Sequence, residues 1–126
     1  MEKTTTIDVT PVFVTLSRTA IFTLETYSND DPDGQDLMYG LTAMAEALNT
    51  YCPDTPELNA YYDGIRCVRA GLDPVVFPVT TEEMQYAHDM LRDLIQKLDP
   101  KTVEMDKVEA ALEYLKDFWE TYNEDN

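Results

Sequence analysis

The sequence predicts a mainly α-helical fold, a compact bundle of four or five helices that follows a short extended N-terminal segment. Two observations lead to this fold class. Apolar residues recur every three or four positions, which is the period of one face of a helix. Prolines, glycines and aspartates divide the chain into segments of helix length. With 126 residues, 44% of them hydrophobic, the chain is long enough for a single domain, residues 1–126, with one modest core.

The N-terminal third fits either a helix or a β-hairpin. Residues 1–10 are rich in threonine, and we expect them to be extended. After them, Thr10 and Pro11 are suited to cap and begin a helix. The apolar face of that helix consists of Phe13, Leu16, Ala20, Leu24 and Tyr27. In the alternative, an α+β fold, Val12, Val14 and Leu16 lie on one strand of a hairpin and Ala20, Phe22 and Leu24 on the other. We favour the helix.

Two further helices are predicted in the middle of the chain. Residues 35–51 carry an apolar stripe that consists of Leu37, Leu41, Met44, Leu48 and Tyr51. Residues 56–70 carry another stripe, with Pro56 at the first helical position and Gly71 just past the end. The pair Asp63-Gly64 interrupts this second stripe, and it is a dipeptide that favours tight hairpins. An interior glycine costs a helix about 1 kcal/mol, which tertiary packing can offset.

The last two helices have the clearest patterns. Thr80 and Glu83 have the spacing of a capping box, and the apolar stripe after them consists of Met84, Ala87, Leu91, Leu94 and Leu98. The final stripe consists of Met105, Val108, Leu112, Leu115, Trp119 and Tyr122. We expect Thr102 to cap this last helix and residues 123–126 to form a frayed acidic tail.

The charge of the chain restricts its partners. Asp and Glu total 25 against nine Lys and Arg, which gives a net charge of −16. Such a surface repels phosphate backbones and anionic membranes, so direct binding to nucleic acid or to a membrane is not expected. It favours a basic partner, which electrostatic steering brings in quickly.

The compartment is predicted from what the sequence lacks. The first ten residues have no apolar core of a secretory signal, and no apolar run approaches the roughly 20 residues of a membrane span. We therefore expect a cytoplasmic protein, in the host cytoplasm if it is virus-encoded. In that setting Cys52 and Cys67 are expected to be reduced thiols rather than a disulfide.

The residues that usually carry catalysis are scarce. His88 is the single histidine, which excludes a zinc site built on several histidines, and we interpret it as a residue at a helix surface or core edge. No nucleophile elbow, P-loop or dinucleotide fingerprint is present. The segment around Asp31 and Asp33 matches half of a calcium loop, but the twelfth position is Gly40 instead of glutamate. We therefore expect no enzymatic activity, no metal and no cofactor.

The most informative pattern is a row of carboxylates on the last helix. The row, which we call the carboxylate ridge, consists of Asp106, Glu109, Glu113, Asp117, Glu120 and Glu124. These residues step by three or four positions and cluster about 120° around the helix from the apolar face. Residues four apart rise about 6 Å along a helix, a spacing similar to that of successive phosphates in a nucleic-acid strand. The ridge therefore predicts a surface that imitates a phosphate track, although a solvated helix face is the simpler interpretation.

Other residues are candidates for the same interaction surface. An acidic turn and the fourth predicted helix supply further carboxylates: Asp30, Asp31, Asp33, Asp36, Glu82, Glu83, Asp89 and Asp93. Tyr62 and Tyr114 fall off the apolar stripes of their helices, and tyrosine suits contacts that have one wet edge. We therefore include both tyrosines as candidate partner-binding residues.

These features together predict a non-enzymatic acidic inhibitor. It presents carboxylates to the basic surface of a nucleic-acid-handling protein, and by physical analogy it fits a virus- or phage-encoded protein directed at a host defence or transcription enzyme. The alternative is an acidic helical adaptor or assembly protein that binds through an apolar groove, either with another protein or as a homodimer.

Overall fold

Five α-helices form the protein in a computed structural model, which describes residues 10–28, 30–51, 57–73 and 79–125, without the side chains of residues 51, 57, 58 and 121–125. The helices are α1 (Thr10–Thr26), α2 (Pro32–Tyr51), α3 (Glu57–Arg69), α4 (Thr81–Ile95) and α5 (Met105–Asp125). The described ranges contain no strand, which confirms the helical bundle. Residues 10–26 adopt the helix and not the hairpin. The expected extended segment lies outside the described residues except for Thr10, and fraying at 123–126 stays a prediction.

The first helix lies at the centre of the bundle. It packs against α2, α3 and α4 and touches α5 at a smaller contact. Besides the predicted apolar face, α1 buries Thr15, Thr19 and Thr23. Each threonine hydroxyl donates a hydrogen bond to the carbonyl four residues earlier, at 2.7–2.8 Å, so it is satisfied without leaving the helix. A helix that is buried nearly all round belongs in the middle of a bundle. The sequence had predicted only one apolar face for this helix, so its central position was not expected.

Helices α2 and α5 form the most extensive helix pair, and Gly40 allows their close approach. A Cβ atom at Gly40 would lie 2.6 Å from the Ala111 Cβ and against the Lys107 carbonyl oxygen, both on α5. Any larger residue must therefore push the two backbones apart. Leu41, Met44 and Leu115 are fully buried in the core that surrounds this contact.

Several helix ends follow their sequence signals. The capping box of α4 is present: the Thr80 hydroxyl accepts from the Glu83 N–H at 3.0 Å, and the Glu83 carboxylate accepts from the Thr80 N–H at 2.9 Å. Helix α3 passes through Asp63-Gly64 and ends at Arg69, and the turn after it contains Gly71, which has φ 77°. The N–H groups of Gly71 and Leu72 return to carbonyls of α3, which is the Schellman arrangement.

Two helix starts differ from the prediction. Helix α2 begins at Pro32 rather than at residue 35, because Asp31 caps it by accepting the N–H of Asp33 at 2.9 Å. The predicted Thr102 cap is wrong. Its hydroxyl donates to the Asp99 carbonyl at 3.0 Å within a turn, and α5 begins only at Met105.

Two further features concern the cysteines and the membrane. Cys67 carries a free, half-buried thiol, and Cys52 lies outside the described residues. Over the part of the chain that the structure describes, none of the helices is both long and apolar enough to cross a membrane.

Candidate functional site

The outer face of α5 carries the carboxylate ridge. Val108, Ala111 and Leu115 are buried on the inner side of this helix. On the other side Asp106, Glu109, Glu113, Asp117 and Glu120 are all exposed, and the side chain of Glu124 is outside the description. At 1.5 Å per residue the five carboxylates extend over about 21 Å. None of the five makes an ion pair with any residue in the described ranges.

A shallow groove between α4 and α5 borders the ridge on one side. Its walls bring His88 and Arg92 of α4 next to Lys116 and the ridge residues Glu109 and Glu113. His88 sits at the core edge, with 14% of its side chain exposed and Nδ1 3.7 Å from the Asp89 carboxylate. Lys116 makes no ion pair within the described residues, although it lies one turn from ridge carboxylates. The basic side chains in this groove thus mark one boundary of the ridge.

The carboxylates of α4 form a separate track. Glu82 and Asp93 are exposed and Asp89 is half-buried. Helical spacing places these three on the outer face of α4, beyond Arg92 as seen from α5. Asp89 lies 3.6 Å from the Arg92 guanidinium, and Glu83 is occupied in the capping box. The predicted α4 residues therefore do not join the ridge directly, because the strip that holds Arg92 lies between them.

Two members of the predicted acidic turn, Asp33 and Asp36, lie within the first two turns of α2, and Asp36 contacts Lys107 near the N-terminal end of α5. The Lys107 Nζ lies 3.4 Å from the Asp36 carboxylate and 3.1 Å from that of Glu104. It also lies 5.2 Å from the centroid of the Tyr39 ring. The hydrogen bond to Glu104 is the main cause that raises the pKa of Lys107. The charge of Lys107 therefore offsets that of Asp36.

The other members of the turn have different roles. Asp31 caps α2, as described above. Asp30 and Asp33 are exposed, and neither of their side chains makes an ion pair within the described residues. The turn thus contributes two open carboxylates at most.

Both candidate tyrosines make contacts with other residues of the protein. The Tyr62 hydroxyl donates a hydrogen bond to the Glu46 carboxylate, and burial together with this bond raises the pKa of Tyr62 to about 12. The Tyr114 ring lies 6.4 Å from the Tyr27 ring, centroid to centroid. Burial is the main cause that raises the pKa of Tyr114. Both side chains are half-buried; the hydroxyl of Tyr114 is buried, whereas the hydrogen bond between Tyr62 and Glu46 is exposed.

An exposed aromatic residue that the sequence interpretation did not select lies beside Tyr114. Phe22 of α1 is 42% exposed. Its ring centroid is 6.3 Å from that of Tyr114 and 5.2 Å from that of Phe118. We call Phe22, Tyr114 and Phe118 the aromatic patch. The available signal was that Phe22 falls off the apolar face predicted for the first helix, but its α5 neighbours could not be known.

The candidate site that the described residues form is a charged surface on α5. Within the described residues, no cluster of three His, Cys, Asp or Glu side chains is arranged to hold a metal ion. No family model, curated protein or solved structure matches the chain. Function must accordingly be argued from the surface itself.

Proposed function

We propose that the protein is an inhibitor that binds a basic, nucleic-acid-handling protein through the carboxylate ridge of α5. The observation that supports this most directly is that five carboxylates are exposed on one helix face and none of them makes an ion pair with a described residue. Negative groups fixed on a rigid element attract a positively charged surface and speed its association.

The spacing of the ridge supports a phosphate-like role. Consecutive ridge residues rise about 4.5–6 Å along the helix, in the range of neighbouring phosphates on one strand. Because α5 is packed closely on α2 at Gly40, the ridge does not need to be ordered on binding. A preorganised surface loses less entropy when it associates than a flexible acidic tail does.

The ridge is also unfavourable for folding alone. Like charges at i,i+4 destabilise a helix by a few tenths of a kcal/mol per pair. Glu120 lies toward the C-terminal end of α5, where the helix dipole disfavours negative charge. Lys116 does not pair with its acidic neighbours. An intermolecular role gives a reason for an arrangement that intramolecular stability does not favour.

The test uses two triple variants with the same change of net charge. The ridge variant is Glu109→Gln, Glu113→Gln, Asp117→Asn. The control variant is Asp73→Asn, Glu82→Gln, Asp93→Asn, and its three residues are exposed and do not belong to the ridge. Wild type and both variants are immobilised, exposed at low salt to lysate from the native source, and eluted by salt steps and by added DNA or RNA. We expect wild type and control to retain the same proteins, which nucleic acid displaces, and the ridge variant to bind them at least about tenfold more weakly.

Two results contradict the proposal. One is retention of the same proteins by the ridge variant at the wild-type affinity. The other is binding that neither salt nor nucleic acid displaces, which instead supports an adaptor that uses an apolar surface.

A further inference from the structure

We propose that the aromatic patch is a docking position for an arginine side chain of the basic partner. This inference rests on the proposed function, since it assigns a specific contact beside the ridge. It predicts that the partner surface carries arginine specifically, in addition to being positively charged.

The patch adjoins the ridge on the surface of α5. Around this helix, at 100° per residue, Asp117, Tyr114 and Phe118 follow one another within about 100°. Asp117 is exposed, whereas Tyr114 and Phe118 are half-buried and support the ring of Phe22. Phe22 is 42% exposed, so part of the ring remains accessible to solvent. A cation drawn to Asp117 therefore meets an aromatic ring next to it.

A second carboxylate lies on the α1 side of the ring. Glu25 is exposed and follows Phe22 by three residues, which places the two side chains on the same face of α1. Helical spacing therefore places one exposed carboxylate near the ring on each of two helices, Glu25 on α1 and Asp117 on α5.

The protein already contains one completed arrangement of this kind. At the other end of α5, the ammonium group of Lys107 lies 5.2 Å from the Tyr39 ring centroid, between the carboxylates of Asp36 and Glu104. An aromatic ring flanked by carboxylates therefore holds a cation in this molecule. The aromatic patch likewise has an exposed ring, Phe22, with exposed carboxylates at nearby positions of α1 and α5.

Arginine fits this position better than lysine. A guanidinium is planar, stacks on aromatic faces and is more weakly hydrated than an ammonium group. It can stack on Phe22 and still donate two parallel hydrogen bonds to one carboxylate. A lysine can use the charge of the ridge but gains less from the exposed ring.

The test compares octa-arginine and octa-lysine peptides by titration calorimetry at low salt. With wild type we expect octa-arginine to bind more tightly. Phe22→Leu, which keeps an apolar side chain at a partly exposed position, should weaken octa-arginine about threefold to tenfold and leave octa-lysine within about twofold. Phe22→Trp should strengthen octa-arginine, because tryptophan is the best aromatic partner for a cation. The matched control is Tyr86→Leu, because Tyr86 is also an exposed aromatic residue but lies on α4. This control should change the affinity for neither octa-arginine nor octa-lysine.

The outcomes separate the patch from the ridge. If Phe22→Leu leaves the arginine preference unchanged, or weakens both peptides equally, the patch is not an arginine position, even when the ridge triple variant has lost both peptides. If the ridge triple variant binds both peptides as wild type does, the proposed function fails, whatever Phe22 contributes. If wild type binds neither peptide, both proposals fall.

Discussion

Two groups of carboxylates near α5 have opposite environments. Asp36 and Glu104 lie around Lys107 at the junction of α2 and α5, where the cation and the Tyr39 ring hold them in place. On the outer face of the same helix, Glu109, Glu113 and Asp117 make no ion pair with any of the described residues. The first group contributes to the contact between helices, and the second is open to an external cation. A high negative charge in the sequence does not distinguish the two.

The largest expected effect comes from a substitution that pushes α2 and α5 apart. The ion pairs of Lys107 with Asp36 and Glu104 lie at the contact between these two helices. Gly40→Ala places a Cβ 2.6 Å from that of Ala111. Overpacking costs about 1–3 kcal/mol and the better helix propensity of alanine returns about 1 kcal/mol, so we expect a net loss of up to about 2 kcal/mol in the free energy of unfolding. Chemical denaturation followed by circular dichroism measures it.

A second interior glycine is the matched control for that change. A Cβ at Gly64 meets only the Ile21 Cδ1, at the ordinary distance of 3.6 Å. Gly64→Ala should therefore stabilise the protein by up to about 1 kcal/mol. Equal stabilisation by both substitutions would show that Gly40 is not a close contact between helices.

A smaller effect is expected from substituting two neighbouring glutamates of α4, one with a hydrogen-bond partner and one without. Glu83 accepts the Thr80 N–H in the capping box, whereas the neighbouring Glu82 is exposed and makes no side-chain bond with the described residues. Glu83→Ala should lower the free energy of unfolding by about 0.5–1 kcal/mol more than Glu82→Ala. Thermal melts of the two variants compare them, and identical stabilities would contradict the difference.

The smallest effect concerns stability when the ridge is neutralised. The triple variant Glu109→Gln, Glu113→Gln, Asp117→Asn removes repulsion at i,i+4, so we expect a gain of a few tenths of a kcal/mol at low salt. The gain should disappear at high salt, because screening relieves the same repulsion in wild type. A clear loss of stability in urea titrations would mean that these carboxylates have internal partners after all.

Most features that depend on neighbours along the chain could be predicted from the sequence. The α4 capping box and the turn at Gly71 were predicted from residue types at fixed spacing, and both are present. The early start of α2 also had a local signal, since Asp31-Pro32 suits the cap and first position of a helix. Thr102 failed because Asp99 engages its hydroxyl in a turn.

Features that depend on contacts between helices were beyond the sequence. The exposure of the ridge agrees with its helical spacing, but the pairing of Asp36 with Lys107 arises only when α2 meets α5. The position of Phe22 beside Phe118 likewise needs α1 and α5 in contact. Periodicity gives the direction in which a side chain leaves its own helix and not the residue that it meets on another.

The central position of α1 has a consequence for biosynthesis. A ribosome completes residues 10–26 before it has made α3 and α4, the helices that cover much of their surface. The nascent chain therefore displays its most completely apolar helix until residue 95 has emerged. The long acidic stretch of α5, which keeps other molecules of the same charge at a distance, emerges only after the other four helices.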